Sequence, residues 1–197
     1  KSLVLDHRNR ADIKLMEVKY SEALAYLDSA RVLQEEHFSL QAPNLAYTYH
    51  EMGLVYWNRG NLEEALKWID KALKINEQVL NPLSPALATT YGNIGSVYRA
   101  KGNLDKAMEF LNKALKIEEQ VLDPLSHSLA TSYNNIGLVY AAQENYDKAM
   151  EFYNKALKID EQVLNPFSPD LATTYNNIGG VYVEKGDSDE ALKWFEK

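Results

Sequence analysis

A period of 42 residues governs this chain. Gly53, Gly95, Gly137 and Gly179 recur at that interval without insertion, as do Tyr49, Tyr91, Tyr133 and Tyr175, Tyr56, Tyr98, Tyr140 and Tyr182, and Ala65, Ala107, Ala149 and Ala191. Pro82, Pro124 and Pro166 punctuate the series, and residues 86–127 and 128–169 are identical at 29 of 42 positions. Such near-copies mark recent duplication or consensus design. A chain of this kind stacks one supersecondary unit on the next and buries a continuous core between them. Ala23, Leu27 and Ala30 fall under Ala65, Ile69 and Ala72, so a diverged first unit occupies 2–43. Residues 1–197 are expected to form a single solenoid with units 2–43, 44–85, 86–127, 128–169 and a partial one, 170–197.

Each unit reads as two helices. Tyr91, Ile94, Gly95 and Tyr98 share one face at 3.6 residues per turn. Glycine inside a helix costs on the order of 1 kcal/mol relative to alanine, so its recurrence implies a close approach of the partner helix, with Ala65 and its equivalents expected to face it. Gly60 is expected to cap the first helix in the left-handed region and Asn61 to cap the second, with Glu64 completing a capping box. Leu62, Ala65, Leu66, Ile69, Ala72 and Leu73 continue the helical period until Asn81-Pro82 stops it, and Ser84-Pro85 caps and opens the next helix. Glu144 stands where Gly60, Gly102 and Gly186 stand. That turn is expected to be strained or differently closed.

The aromatic, Gly and Tyr of the first helix and the two Ala of the second resemble the tetratricopeptide repeat (TPR). The 42-residue period, with its NNIG segment, is similar to the kinesin-light-chain type. The resemblance implies an all-α fold, a right-handed superhelical solenoid of tandem helix-turn-helix repeats whose first helices line a concave groove. It also implies protein–protein interaction, since such modules serve motor adaptors, bacterial peptide receptors and signalling ATPases alike.

Opposite the core face, residues 86–127 present Thr89, Gly92, Asn93, Ser96, Arg99 and Ala100. Through the period, Asn93 becomes Asn9, Glu51, Asn135 and Asn177, with Asn134 and Asn176 beside it. An Asn amide pairs with both N–H and C=O of an extended peptide, so this ladder is a candidate peptide grip. The alternative is that these amides solvate the helix face or bond to the next repeat. In 44–85 the same face carries Tyr47, Leu54 and Trp57, which would seat an apolar or aromatic anchor. Trp57 packing on Leu15 is the alternative there. Some TPR proteins grip a carboxylate with basic groove residues. Here Thr89, Thr131 and Thr173 stand at the equivalent positions, and Arg8 and Arg99 are opposed by Asp12, Glu51 and Glu184, which disfavours a strongly acidic ligand. Lys71, Lys113 and Lys155 lie on second helices, where Glu109–Lys113 and Glu151–Lys155 form i,i+4 pairs on an outer face.

With 28 acidic against 21 basic side chains, net charge −7, and no basic block, nucleic-acid binding is not expected. The absence of Cys excludes disulfides, iron–sulfur clusters and thiol catalysis and fits a cytoplasmic protein. No apolar run is long enough to span a membrane. His50-Glu51 opens like a zinc-protease motif, but Leu54 occupies the second ligand position. No catalytic residue, metal or cofactor is expected. The leading reading is a scaffold that binds an extended or partly helical peptide in its concave groove. A structural spacer or self-assembling solenoid, or the regulatory repeats of a larger protein, are the alternatives. Lys71, Lys113 and Lys155 are each followed by several more helical residues, so the helix holding Lys197 is expected to continue in a longer protein, with self-association through the uncovered end.

Overall fold

The first turn explains the others. After α1 (Ser2–Met16), the Val18 N–H donates to the Leu15 carbonyl and the Lys19 N–H to Lys14, the paired bonds of a Schellman motif, and the chain folds back into α2 (Tyr20–His37). The computed structural model describes residues 2–37 and 43–197. Residues 1 and 38–42, where the first unit meets the second, lie outside the described residues. The same arrangement joins α3 (Pro43–Asn58) to α4 (Leu62–Val79), α5 (Pro85–Ala100) to α6 (Leu104–Val121), α7 (His127–Ala142) to α8 (Tyr146–Val163), and α9 (Pro169–Glu184) to α10 (Ser188–Phe195). Among the described residues all regular structure is helical.

The C-capping residue of this motif needs positive φ. Gly60, Gly102 and Gly186 supply it at 76°, 76° and 79°. Glu144 takes the same conformation at φ 58°, so the expected strain is present without any change in how the turn closes. Val18 does likewise at φ 57°, a rarer choice because a β-branched side chain crowds the backbone there.

Asn61, Asn103 and Asn145 cap the second helices as expected, each side chain accepting from the backbone N–H three residues on. The capping box is half made. The Glu64 carboxylate turns to Lys67 Nζ at 3.0 Å, because the Asn61 N–H it would accept from is already given to the Tyr56 carbonyl. Ser84 is the N-cap residue of α5 but its hydroxyl makes no cap bond; Pro85 follows it in the first turn. Asn81, Asp123 and Asn165 each accept from the N–H two residues on, which shapes the loops after α4, α6 and α8.

The core runs through the stack as overlapping clusters. Ala65, Ile69, Leu87, Ile94 and Val97 join α4 to α5, and Ala107, Leu111, Leu129, Ile136 and Val139 repeat the pattern one unit on. The helical glycines do mark close approaches, with one correction to the facing residue. A Cβ at Gly95 would stand 2.7 Å from Leu111 Cγ, and one at Gly137 would stand 2.5 Å from Tyr153 Cε1. Side chains sixteen residues on fill the space; the alanine series contributes backbone, Ala107 O lying 3.1 Å from the Gly95 position.

Polar side chains tie unit to unit. Tyr49, Tyr91, Tyr133 and Tyr175 donate their hydroxyls to Glu35, Glu77, Glu119 and Glu161 of the preceding helix at 2.7–3.1 Å. On the even helices, Lys113 and Lys155 pair with Glu109 and Glu151 at 2.7 Å and lie over Phe110 and Phe152. Each helix packs chiefly on its sequence neighbours, while α7 also touches α5 on one side and α9 on the other, so the three form an inner row.

Candidate ligand groove

The inner row presents the sequence-predicted ladder, and the structure engages much of it between repeats. Asn93 Nδ2 donates to His50 Nε2 at 3.0 Å, which requires that nitrogen to be unprotonated. Burial lowers the His50 pKa and so favours the neutral imidazole this bond needs. Asn134 Nδ2 donates to Thr174 Oγ1 at 2.6 Å, and Asn177 Nδ2 reaches Asn134 Oδ1 at 3.5 Å. The amides of Asn135 and Asn176 have no hydrogen-bond partner among the described residues, and Asn176 is exposed while Asn135 is half-buried. Asn9, on α1, is also exposed.

The apolar end at 44–85 is built differently from its sequence outline. Tyr47 is 42% exposed and carries the Arg8 guanidinium over its ring, 3.9 Å from the centroid. Arg8 Nε is buried without a hydrogen-bond partner. Below it, burial and the nearby Asp12 charge raise the Glu51 pKa, and Arg8 pulls the other way. Leu54 is half-buried, and Trp57 packs on the cluster shared by α4 and α5, so of the three predicted anchors Tyr47 is the one left open. Ser96, expected on the open face, is buried.

A second region of this face gave weaker signals in the sequence. Between α7 and α9 lies a hollow of about 460 Å³ lined by Leu138, Ala141, Gly180 and Val181, with Tyr153 rising from α8 beneath. Gly180 stands where the other units have Leu54, Ser96 and Leu138, and a Cβ there would meet nothing within 4 Å. Asn176 and Asn177 form one part of its rim, Glu144 and Glu184 another. Burial, with Arg99 opposing, pushes the Tyr153 hydroxyl up to about 12. The Tyr146 hydroxyl is raised by desolvation and then by the Glu184 and Glu144 charges. Arg99, half-buried on α5, has its Nε buried without a partner. The legible signals were departures from the period: Tyr153 replaces Ile69 and Leu111, and Gly180 replaces a side chain.

Stacked helix pairs presenting a polar inner face define an interaction solenoid. A tetratricopeptide repeat family model matches residues 44–120 and 128–197. The chain belongs to the tetratricopeptide repeat family, and its 42-residue units have the architecture of the kinesin-light-chain type. The crystal structure of a Podosopora anserina protein assigned as a kinesin light chain, with nearly identical TPR-like repeats, matches with TM-score 0.81 at 19% identity, covering 98% of this chain and 92% of that one. BtubC (BKLC) from P. vanneervenii matches with TM-score 0.82 at 24% identity, covering 94% and 74%. The apo form of RapI matches with TM-score 0.83 at 18% identity, covering 98% and 68%. Comparison with curated protein sequences returns no match.

Proposed function

We propose that this protein–protein interaction scaffold holds an extended peptide along the inner row, with its backbone on the amide ladder and an apolar side chain against Tyr47. The carrying observation is the pair of amides, Asn135 and Asn176, that have no hydrogen-bond partner among the described residues. Asn93 and Asn177, with one bond each, and Asn134, with two, keep further hydrogen-bonding capacity. The cytoplasmic setting expected from the sequence belongs to this reading too; no described helix is long and apolar enough to cross a membrane.

The rival reading, a spacer or self-assembling solenoid, draws on Leu83, Leu125 and Phe167. These loop residues recur at the repeat period and are 43%, 46% and 94% exposed. Selection from a displayed random peptide library separates the two. The paired change Asn135→Ala and Asn176→Ala is expected to leave folding stability within about 0.5 kcal/mol, since neither amide has a hydrogen bond to lose among the described residues, and to abolish binding of the enriched peptides. No enrichment, with a mass that grows with concentration, would favour self-assembly.

A further inference from the structure

The hollow between α7 and α9 is asymmetric in charge. Its floor is apolar, from Leu138, Ala141, Gly180 and Val181, and its lining holds two carboxylates but no lysine or arginine. Neither Glu144 nor Glu184 is paired with a cation among the described residues. Lys185, next in sequence to Glu184, is engaged by Asp147 Oδ1 at 2.7 Å, and the Arg99 charge acts on Tyr153 rather than on either glutamate. Equivalent positions in the other units do not repeat this pairing. Glu144 replaces a glycine found at 60, 102 and 186, and Glu184 corresponds to Asn58, Ala100 and Ala142. Gly180 removes the side chain that would fill the floor.

We infer that this hollow is a side-chain subsite for a lysine or arginine of the bound peptide. The inference rests on the peptide-groove reading and gives it a direction along the solenoid. A long basic side chain fits both halves of the site: its methylene stem lies on the apolar floor while its charged head reaches the rim, the division such side chains adopt on protein surfaces. The cation gains charge-assisted hydrogen bonds to two exposed carboxylates that stand on one rim of the hollow. The Asn176 amide beside the floor is placed to hold the backbone that carries this residue. At the far end, Tyr47 under the Arg8 guanidinium offers an aromatic contact instead. A peptide with its basic residue toward α9 and an apolar or aromatic residue toward α3 matches both ends.

The test uses the full chain and a phage-displayed random dodecapeptide library. Enriched peptides are expected to share a Lys or Arg at one position. Replacing that residue by Met in the synthetic peptide should weaken binding about fivefold, the upper scale of an exposed ion pair. The double variant Glu144→Gln/Glu184→Gln should lose about the same factor for the basic peptide and almost nothing for the Met peptide. Gly180→Leu, which refills the floor, should exclude the side chain, with helicity checked by circular dichroism; the isosteric Gln variants decide the matter if Gly180→Leu perturbs the fold. Enriched peptides without a basic position, or binding indifferent to the Gln variants yet lost in Asn135→Ala/Asn176→Ala, would overturn the subsite and leave the groove reading standing. No enrichment at all would overturn both.

Discussion

At Val18 and Glu144 the backbone sits at φ 57° and 58°, where the aligned turns use glycine. An L side chain in this region costs roughly 1–2 kcal/mol. Val18→Gly and Glu144→Gly are therefore each expected to raise the thermal midpoint, by about 2–4 °C per kcal/mol for a chain of this size. The Val18 change should gain more, since its branched side chain is the poorer fit. Unchanged midpoints would mean that the turns already relax the strain. Gly137→Leu has the opposite sign. With Tyr153 Cε1 2.5 Å from the added Cβ, overpacking should cost about 1–3 kcal/mol or more, and an unaltered denaturant midpoint would refute the close contact. The strain at Glu144 was legible in the sequence, because a glycine series with one exception flags itself. Val18 was not, because a β-branched residue one period before Gly60 gives no sign that the turn keeps its positive φ. The facing residue at each glycine was also misread: a helical wheel gives direction, and the reach of a side chain sixteen residues on depends on how the two helices cross.

Between elements, the tyrosine hydroxyls set a pH limit. Burial, and then the bond to Glu77 or Glu119, pushes Tyr91 and Tyr133 up to about 12 from an ordinary value near 10. The folded state then keeps these protons where the unfolded chain has released them. Stability is full below about pH 10 and falls as pH rises toward 12. Alkaline titration followed by tyrosinate absorbance should show these residues ionising late, and Tyr91→Phe and Tyr133→Phe together should flatten the loss of stability across that window. The helices and their stops were readable because each is encoded within one unit. The bonds between units were less so. Asn93 meets His50 at 3.0 Å, and Asn134 meets Thr174, through stacking offsets that no pattern inside a unit records. The alternative that ladder amides bond to neighbouring repeats was foreseen, but which ones do so was not.

The whole molecule is held by contacts between neighbours, so a unit should be removable in register. Deleting 86–127 joins α4 to α7 and places Tyr133 opposite Glu77 and Ser132 opposite Asn76, in the positions of Tyr91 and Thr90. The shortened chain is expected to keep its helicity per residue and unfold cooperatively, with a denaturant slope smaller by roughly a fifth, in proportion to the surface lost. Loss of helicity would show that order depends on contacts beyond nearest neighbours.

The tyrosine–glutamate bonds carry one more consequence. Each spans a junction between units at nearly the same place, and the apolar packing around it is nearly the same from one junction to the next. Mechanically, the molecule is a row of matched couplings in series, each bearing the whole of a bending load and contributing an equal part of the bend. Whatever the inner face grips across several units pulls on all those couplings together, so a small rotation at each adds up to a large change of pitch without any single junction breaking.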